Sequence, residues 1–357
     1  MNTHKTFQYD IAIIGLGPAG ATLARLLQPN YRIIAIDKKT EAADSFQKPC
    51  GGLISTDAQK ALASFDLTLP KEILADPQIF SVKTIDLENH LVRHYQRFYI
   101  NLHRHKFDLW MESLIPDRVD VRKGAICTAL RREAEGFSVS FLEKGAETTV
   151  TARYLVGADG SNSLVRRTFS PAHTIRQYLS IQQWFPEQNP NPFYSCIFDP
   201  EHTDCCSWSI SKDNHFIFGG AYPLDHAKAR FEAQKQKLED FGFRFGTPVK
   251  TEACLVLRPA SWADFCKGEQ GVFLLGEAAG FISASSLEGI SSAILSATKL
   301  SQVLNQPKGD PNEAYWKSTF SLRLKLFLKI MKSPFLYQPS LRRLVMKSGL
   351  QSIRIHK

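Results

Sequence analysis

The sequence lacks the patterns that mark several classes of protein. It has no uninterrupted apolar run of the roughly 20 residues that a membrane-spanning helix requires. Residues 8–14 have the character of a buried strand rather than of a cleavable secretory leader. The seven cysteines include no CxxC pair and no spacing typical of zinc ligands. We therefore expect a cytoplasmic protein with reduced thiols and without a structural metal.

Acidic residues are absent from the last part of the sequence, because no Asp or Glu occurs between Ala314 and Lys357. The ten basic residues of this segment are Lys317, Arg323, Lys325, Lys329, Lys332, Arg342, Arg343, Lys347, Arg354 and Lys357. The net charge of the whole chain is +9, so the remainder of the chain is close to neutral. Leucines and aromatic residues between these charges favour an anionic membrane surface as the partner of 314–357, with the protein peripheral on the inner membrane. A solvated basic tail is the alternative, and no nucleic-acid-binding motif is present.

A glycine-rich turn between two predicted strands indicates a dinucleotide site. A buried strand is predicted over Tyr9–Ile14, followed by the sequence GLGPAG at 15–20 and a helix over Ala21–Gln28. A second strand over Arg32–Ile36 then ends at Asp37. An isolated GxGxxG is weak evidence, whereas both strands, the helix and the acid together are specific. By itself the pattern does not distinguish NAD from FAD.

Each residue type in this turn has a physical role in holding a dinucleotide. Gly15 permits the tight turn, Gly17 lets the backbone approach a pyrophosphate, and Gly20 lets helix and strand pack closely. Asp37 is expected to accept hydrogen bonds from the ribose hydroxyls. The other cofactor contacts predicted at this end are Pro18, Ala19 and Lys38.

Two later stretches resemble motifs of the FAD-dependent aromatic hydroxylase superfamily. The first, Tyr154–Arg166, is a predicted strand, a sharp turn and a helix start; the second, Val272–Phe281, is a strand that enters a small-residue turn. A helix is predicted after the second turn, over Ser286–Leu304. The resemblance implies FAD as the cofactor and a helix N-terminus directed at the flavin. The cofactor contacts that it implies are Asp159, Gly160, Gly276, Glu277, Gly289 and Ile290.

Two further features concern the surroundings of the flavin. The sequence RHKFD at 104–108 is similar to an Arg-x-x-Phe-Asp motif of that superfamily, which implies that Arg104 lies near the cofactor. A capping or surface arginine is the alternative. No second GxGxxG is present, so we expect no separate NAD(P)H domain and an external electron donor, which is NAD(P)H, a ferredoxin or a flavodoxin.

The loop KPCGG at 48–52 resembles a characteristic loop of the geranylgeranyl reductase family. Within that family the cysteine lies beside the flavin, in the cavity where a prenyl double bond is reduced. The segment Cys206–Ser211 also resembles the family's Tyr-x-Trp-x-Phe-Pro box, with Trp208 kept and the tyrosine and proline replaced. The resemblance implies a prenyl lipid as substrate and places Cys50 and Trp208 in the catalytic cavity.

The residues of this loop suit such chemistry. Alkene reduction needs a hydride on one carbon and a proton on the other, and Cys50 is a candidate proton donor. A small buried filler is the alternative for Cys50. Gly51 and Gly52 are expected to let the loop backbone run close to the isoalloxazine ring without a Cβ clash.

The sequence departs from both families at several positions. Glu277 replaces the usual Asp, and Gly280 stands where hydroxylases commonly have His. Ala284, Leu287 and Glu288 occupy positions where prenyl reductases commonly have Pro, Gly and Gly. Glu288 is either an acid of the site or a charge at the start of a helix.

The expected fold is α/β, with a glutathione-reductase-like (Rossmann-type) FAD-binding domain, an inserted antiparallel β-sheet substrate domain and a C-terminal helical tail. The FAD-binding domain is predicted over 1–75, 99–170 and 259–305, the substrate domain over 76–98 and 171–258, and the basic helical region over 306–357. Strands are predicted over Ile175–Phe185, Pro192–Phe198, Cys205–Ser211 and His215–Tyr222, and a helix over Leu224–Asp240. Most aromatic side chains of these strands, including Tyr178, Tyr194 and Tyr222, are expected in the core, and Trp208 in the cavity.

The function predicted from the sequence is reduction of isoprenoid double bonds of a prenyl lipid by hydride from reduced FAD. One alternative is an FAD-dependent monooxygenase of a small aromatic or polyketide-like substrate. A halogenase is disfavoured, because Cys206 and Ser211 depart from the Trp-x-Trp-x-Ile-Pro box expected there. A third possibility is a non-enzymatic flavin-binding protein whose redox state controls binding to a partner.

Overall fold

The computed structural model describes residues 7–42, 46–187 and 194–355. The helices in these parts of the chain are α1 (Pro18–Leu26), α2 (Thr56–Ala63), α3 (Arg104–Ser113), α4 (Leu164–Phe169), α5 (Ala227–Glu239), α6 (Ile290–Asn305), α7 (Pro311–Ser318), α8 (Phe320–Tyr337) and α9 (Pro339–Ser348). The strands are β1 (Tyr9–Ile14), β2 (Ile33–Asp37), β3 (Leu53–Ile54), β4 (Ile79–Asp86), β5 (Leu91–Asn101), β6 (Asp120–Lys123), β7 (Ile126–Arg132), β8 (Phe137–Glu143), β9 (Ala146–Gly157), β10 (Gln177–Pro186), β11 (Tyr194–Phe198), β12 (Cys206–Lys212), β13 (His215–Pro223), β14 (Lys250–Leu257), β15 (Val272–Leu274) and β16 (Ser352–Ile353).

The first sheet has the strand order β6-β2-β1-β9-β8-β7, and β15 pairs with β9 outside this path. The strands β6, β2, β1, β9 and β15 run parallel, whereas β7, β8 and β9 form an antiparallel meander. β1 lies between two parallel neighbours and is buried over Ile11–Ile14, as expected of an apolar strand covered on both faces. Helices α1 and α6 pack against each other beside this sheet.

The second sheet has the strand order β14-β10-β13-β12-β11-β4-β5-β16, and β3 pairs with β5. Its pairs are antiparallel except for β11 and β4, which run parallel. Phe216, Phe218 and Tyr222 of β13 are fully buried against α5 and form the core on one face of this sheet. The inserted antiparallel sheet and the Rossmann-type sheet predicted from the sequence are therefore both confirmed.

The C-terminal segment is folded onto the rest of the molecule. Arg342 of α9 is buried and forms a two-pronged ion pair with the buried Asp86 of β4, with N–O distances of 2.7 and 2.9 Å. Arg323 is also buried, and its guanidinium lies 3.3 Å from the ring centroid of Trp316. The strand β16 adds a short edge to the second sheet. The alternative of a solvated basic tail is therefore wrong for Arg323 and Arg342, which are both buried.

Most predicted elements occur within a few residues of their expected bounds, and the differences follow from the backbone hydrogen bonds. The helix expected from Ser286 begins only at Ile290, because Ser283 and Glu288 close a turn in which the Ser283 N–H donates to the Glu288 carbonyl at 2.9 Å. The first two residues of the strand predicted over Pro192–Phe198 lie outside the described residues.

Candidate functional site

A cavity of about 700 Å³ is lined by residues of both sheets. It begins at the carboxyl ends of β1 and β2, beside Gly15 and Asp37, and extends to Trp208 on β12. The carboxyl ends of parallel strands are the usual location of a nucleotide in an open α/β sheet. Every residue that the sequence predicts as a site residue lines this cavity except Gly20 and Gly276, which pack beneath its wall.

The three glycines of the first turn serve different purposes. Gly15 has φ +95°, and a Cβ built on it would lie 2.6 Å from the carbonyl oxygen of Ala158. A Cβ on Gly20 would lie 1.9 Å from the Gly15 carbonyl oxygen, so helix α1 could not approach β1. A Cβ on Gly17 would meet no atom within 4 Å. Gly15 and Gly20 are therefore required by the fold, whereas the space beside Gly17 is open to a ligand.

The carboxylate of Asp37 is held by the backbone of the glycine turn. One of its oxygens accepts a hydrogen bond from the Leu16 N–H and the other accepts from the Lys39 N–H at 2.7 Å. The Lys39 ammonium in turn donates to the Leu16 carbonyl at 3.1 Å and pairs with the buried Glu112. Asp37 lines the cavity, and its contact with a ribose stays a prediction. Lys39 and Glu112 were missed from the sequence, since they lie 73 positions apart and become partners only in the folded chain.

Asp159 has a buried oxygen atom without a partner. Its Oδ2 accepts from the N–H groups of Leu164 at 2.6 Å and Val165 at 3.3 Å, which caps helix α4. Among the described residues, nothing donates to its buried Oδ1. Burial raises the pKa of this carboxyl above its usual range. A buried acceptor without a donor is costly, so the site suits a ligand with a hydroxyl group.

Arg166 joins the two later sequence motifs. Its guanidinium is buried and donates to the carbonyls of Ala278 at 2.7 Å and Ser161 at 2.6 Å. Arg166 therefore connects the turn of its own motif to the backbone of the second motif.

The cysteine of the KPCGG loop lies beside an arginine. Cys50 Sγ accepts a hydrogen bond from the Gly52 N–H at 3.4 Å, and the Arg104 guanidinium is close enough to the thiol to interact with it. Arg104 also donates to Asp108 at 2.8 Å. Burial alone would lower the pKa of Arg104, but Asp108 and the thiol outweigh burial and raise it. The side chain of Arg104 is only 12% exposed, so the surface-arginine alternative is wrong.

The glycines of this loop are explained by contacts within the protein. Gly52 has φ +61°, and a Cβ on it would lie 2.2 Å from the Leu102 carbonyl oxygen and 2.7 Å from Lys212 Nζ. A Cβ on Gly51 would lie 3.4 Å from the indole of Trp208. The chain itself therefore excludes a side chain at Gly52, and close approach of this loop to the isoalloxazine ring stays a prediction.

Lys212 is a buried lysine behind the loop and was missed from the sequence. It is 2% exposed, and its ammonium donates to the carbonyl oxygens of Leu102 at 2.6 Å and Gly52 at 3.4 Å and to the side-chain oxygen of Asn101. Burial lowers its pKa to about 7. These contacts fasten the KPCGG loop to the end of β5.

A second lysine connects the loop to the turn after β15. The Lys48 ammonium contacts the carboxylate of Glu277, whose other oxygen accepts from the Leu257 N–H at 2.9 Å. Burial alone would lower the pKa of Lys48, but the Glu277 carboxylate outweighs it and raises that pKa. Both oxygens of Glu277 are thus engaged by the protein at the edge of the cavity, and its contact with the ribityl chain stays a prediction.

Trp208 lies in the cavity, as predicted, and its indole packs against two glycines. A Cβ on Gly219 of the neighbouring strand would lie 2.7 Å from the indole, and Gly51 adjoins its other side. The indole Nε1 is buried and has no partner among residues 7–42, 46–187 and 194–355. Trp208 therefore presents an unused hydrogen-bond donor close to the KPCGG loop.

Two tyrosines complete the wall near Trp208. Tyr99 and Tyr194 make an edge contact with ring centroids 5.9 Å apart, and both line the cavity. Burial raises the pKa of both phenols, so they remain protonated at neutral pH. Tyr194 was assigned to the core, and the alternation of β11 alone could not show that its face borders the cavity. The aromatic residues that are fully buried include Tyr178 and Tyr222.

Glu288 lies just before the start of α6. Its carboxylate accepts from the N–H and the hydroxyl of Ser291 at 2.9 and 2.8 Å, so it caps the helix while lining the cavity. Leu287 has φ +53°, in the left-handed region that favours glycine. Its side chain packs against a buried cluster that includes Ile282, which gives the cavity an additional apolar group where the resembled family commonly has Gly.

These features fit a bound FAD at the first half of the cavity. Gly17 leaves room for a pyrophosphate beside the N-terminus of α1, where N–H groups and the helix dipole favour negative charge. The partnerless oxygen of Asp159 can accept from a hydroxyl of the cofactor. Gly289 and Ile290 bring the N-terminus of α6 to the same cavity.

Comparison with known proteins places the chain among flavoproteins. A family model described as FAD binding domain matches residues 86–236. Protein CbrA of Escherichia coli strain K12 is 54% identical over 97% of this chain and 98% of that protein. Protein CbrA of Shigella sonnei is 55% identical, with the same coverage of both chains. The chain belongs to the CbrA family. Its cofactor is FAD, and it is of the FAD-dependent oxidoreductase class.

Solved structures show how widely this fold occurs beyond the CbrA family. A geranylgeranyl bacteriochlorophyll reductase-like protein of Thermoplasma acidophilum has a TM-score of 0.75 at 18% identity, covering 94% of this chain and 90% of that chain. PqsL of Pseudomonas aeruginosa, a probable FAD-dependent monooxygenase, has a TM-score of 0.69 at 14% identity, covering 96% of this chain and 99% of that chain. At these identities the likeness concerns the fold, which reductases and monooxygenases share. None of the helices in the described parts of the chain has the length and apolar character needed to cross a bilayer.

Proposed function

We propose that the chain reduces isoprenoid double bonds of a prenyl lipid. The observation that carries this proposal is one cavity that is lined both by the first glycine turn and by the KPCGG loop. Its wall includes the apolar side chains of Trp208, Val256, Ile282 and Leu287. An extended hydrocarbon fits such a wall, because apolar surface gains free energy on leaving water.

The chemistry of the residues around Cys50 supports a reduction. Reduced FAD supplies a hydride to one alkene carbon and is oxidised by two electrons, so the other carbon requires a proton. The Cys50 thiol is the proton donor in this proposal, and its position is fixed by the Gly52 N–H and Arg104. The phenols of Tyr99 and Tyr194 lie in the same wall, but burial raises the pKa of both and makes them weaker acids, so Cys50 is the donor proposed.

Trp208 positions the substrate in this proposal. Its indole face supplies apolar contact, and its partnerless N–H is available to a polar atom of the substrate or cofactor. An external donor re-reduces the FAD after each double bond.

The proposal is tested with photoreduced protein kept without oxygen. The protein is mixed with membrane-derived prenyl lipids, flavin reoxidation is followed by absorbance, and the lipids are analysed by mass spectrometry. We expect reoxidation together with a lipid mass that increases by pairs of hydrogen atoms. Flavin that stays reduced until oxygen is admitted, with lipid unchanged, contradicts a reductase and favours the monooxygenase alternative.

A further inference from the structure

Helix α8 carries a continuous row of exposed apolar side chains, here called the α8 stripe. The stripe consists of Phe320, Leu324, Leu328, Met331 and Phe335. The exposed fractions of these residues range from 41% for Leu324 to 58% for Met331. Spacings of three and four residues bring side chains to one side of a helix, so the stripe is one surface rather than scattered residues.

The stripe is distinct from the face by which α8 is attached to the protein. Leu322 and Leu326 are buried in the core of the first sheet, and Arg323 stacks on Trp316. Helix α8 is therefore apolar on two sides, although only one of them is covered. A contiguous exposed apolar surface of this kind marks an interaction site.

All charged side chains of α8 and α9 are basic. Lys332 of α8 and Arg343 and Lys347 of α9 are exposed, and no carboxylate in the described parts of the chain lies within ion-pair distance of them. The carboxylate that does reach this side is Asp57, which pairs with Lys325 at 2.7 Å. The surface around the stripe is consequently positive.

Helix α8 also borders an opening of the cavity. Lys329, on the same helix, lines the cavity together with Thr56 and Asp57 of α2 and Arg97 and Phe98 of β5. Phe98 is 63% exposed, so this part of the wall reaches solvent. The opening thus lies between α2, β5 and α8.

We propose that the α8 stripe with Lys332, Arg343 and Lys347 is a docking surface for an anionic lipid bilayer. Basic side chains beside an apolar helix face suit an interfacial helix, because the charges attract anionic headgroups while the apolar groups enter the acyl boundary. Lysine is depleted in protein–protein interfaces, which disfavours a protein partner. A second copy of the chain would bring two positive surfaces together, which disfavours self-association.

Because α8 carries both the stripe and Lys329, docking brings the opening beside Phe98 and Lys329 near the bilayer surface. An isoprenoid chain then has a short path from the membrane into the cavity. Entry of the substrate from the membrane rests on the proposed function, whereas docking itself does not.

Docking is tested by flotation of the full-length, FAD-loaded protein with vesicles. Vesicles of phosphatidylcholine alone are compared with vesicles that also contain phosphatidylglycerol. We expect binding to the anionic vesicles that weakens with added salt. Replacing Leu328, Met331 and Phe335 together by Ser is expected to weaken this binding about tenfold or more, because three apolar groups no longer enter the bilayer.

The matched control replaces Leu224 and Val249 by Ser, since these residues are 52% and 60% exposed and lie outside α8. Vesicle binding of the control should equal that of the unchanged protein, and the flavin spectrum should be the same in all variants. Absence of binding to anionic vesicles, or equal binding by the stripe variant, contradicts the proposal. Dimers that become monomers in the stripe variant, without vesicle binding, would identify an interface between copies instead.

A short water-soluble prenyl substrate separates docking from catalysis. If the stripe variant reduces this substrate normally and loses activity only on vesicle-embedded lipid, entry from the membrane is supported. If the unchanged protein binds vesicles but reduces neither substrate, the proposed function fails while docking stands.

Discussion

The ammonium group of Lys48 contacts the carboxylate of Glu277, although 229 residues separate them in the sequence. The contact joins the loop that carries Cys50 to the turn that follows β15. Because Glu277 also accepts from the Leu257 N–H, three separate segments meet at one carboxylate. The position of the Cys50 loop relative to the FAD-binding sheet therefore depends on this ion pair.

Replacing Lys48 by Met tests this dependence. The change leaves the 8% exposed Glu277 side chain with the Leu257 N–H as its remaining partner, so we expect the free energy of unfolding to fall by roughly 1–3 kcal/mol. Urea unfolding of the FAD-loaded protein measures this change in the free energy of unfolding. A double-mutant cycle with Glu277→Gln isolates the pair, and Lys60→Met on the exposed surface of α2 is the control. Additive effects of the two substitutions would refute the coupling.

Gly17→Ala and Gly20→Ala form a matched pair with opposite expected outcomes. A Cβ at position 17 meets nothing within 4 Å, so the fold should be retained while affinity for FAD falls roughly tenfold or more. A Cβ at position 20 lies 1.9 Å from the Gly15 carbonyl oxygen, so the protein itself should be destabilised. Thermal unfolding of the FAD-free protein and fluorescence titration with FAD distinguish the two effects. Equal FAD affinity of Gly17→Ala and the unchanged protein would exclude close approach of a phosphate at position 17.

Cys50→Ala tests the proton donor. If the thiol protonates the alkene carbon, its removal should lower the rate of prenyl reduction about 100-fold while FAD binding is kept. Cys50→Ser, which retains an O–H donor, should restore part of this loss. Tyr194→Phe is the comparison, because it removes one of the two phenol hydrogens in the same wall. A larger loss of activity in Tyr194→Phe than in Cys50→Ala would identify the Tyr194 phenol as the proton donor instead.

Lys212 makes the stability of the protein depend on pH in a predictable direction. Its pKa of about 7 in the folded protein is below the value of about 10.4 expected for an unfolded chain. Between these two values the unfolded chain binds more protons, so this residue's contribution to the free energy of unfolding rises with pH. Below about pH 7 the lysine is charged in both states, and the contribution stops changing.

The measurement compares unfolding free energies of the unchanged protein and Lys212→Met at several pH values from 7 to 10. The difference between the two proteins isolates Lys212 from the tyrosines and cysteines that also titrate in this range. We expect the free energy of unfolding of the unchanged protein to increase relative to that of the variant as the pH rises. A constant difference would mean that Lys212 does not titrate in this window.

The chemistry of the first half of the site is determined largely by local sequence. Gly15, Gly17 and Gly20 follow a buried apolar strand, and their spacing dictates the turn, the helix start and the approach of helix to strand within a few residues. Asp159 likewise lies in its own strand–turn–helix unit and caps α4 as part of that unit. Such features depend on φ/ψ preferences and short-range hydrogen bonds, which a sequence pattern specifies directly.

Other features required the tertiary structure, since their partners are remote in the chain. Lys212 becomes part of the site because β12 and β5 bring its ammonium to the carbonyl of Gly52. Tyr194 faces the cavity because of how the second sheet lies over the first, and alternation along β11 could not show which face borders it.

The sequence by itself determined the FAD-binding turn, the order of the motifs and the excess of positive charge in the C-terminal segment. Only the tertiary structure decided which of those charges are buried, as Arg342 is against Asp86, and which remain beside the α8 stripe. The physical reason is that local backbone geometry follows from neighbouring residues, whereas burial and ion pairing depend on the packing of elements hundreds of residues apart.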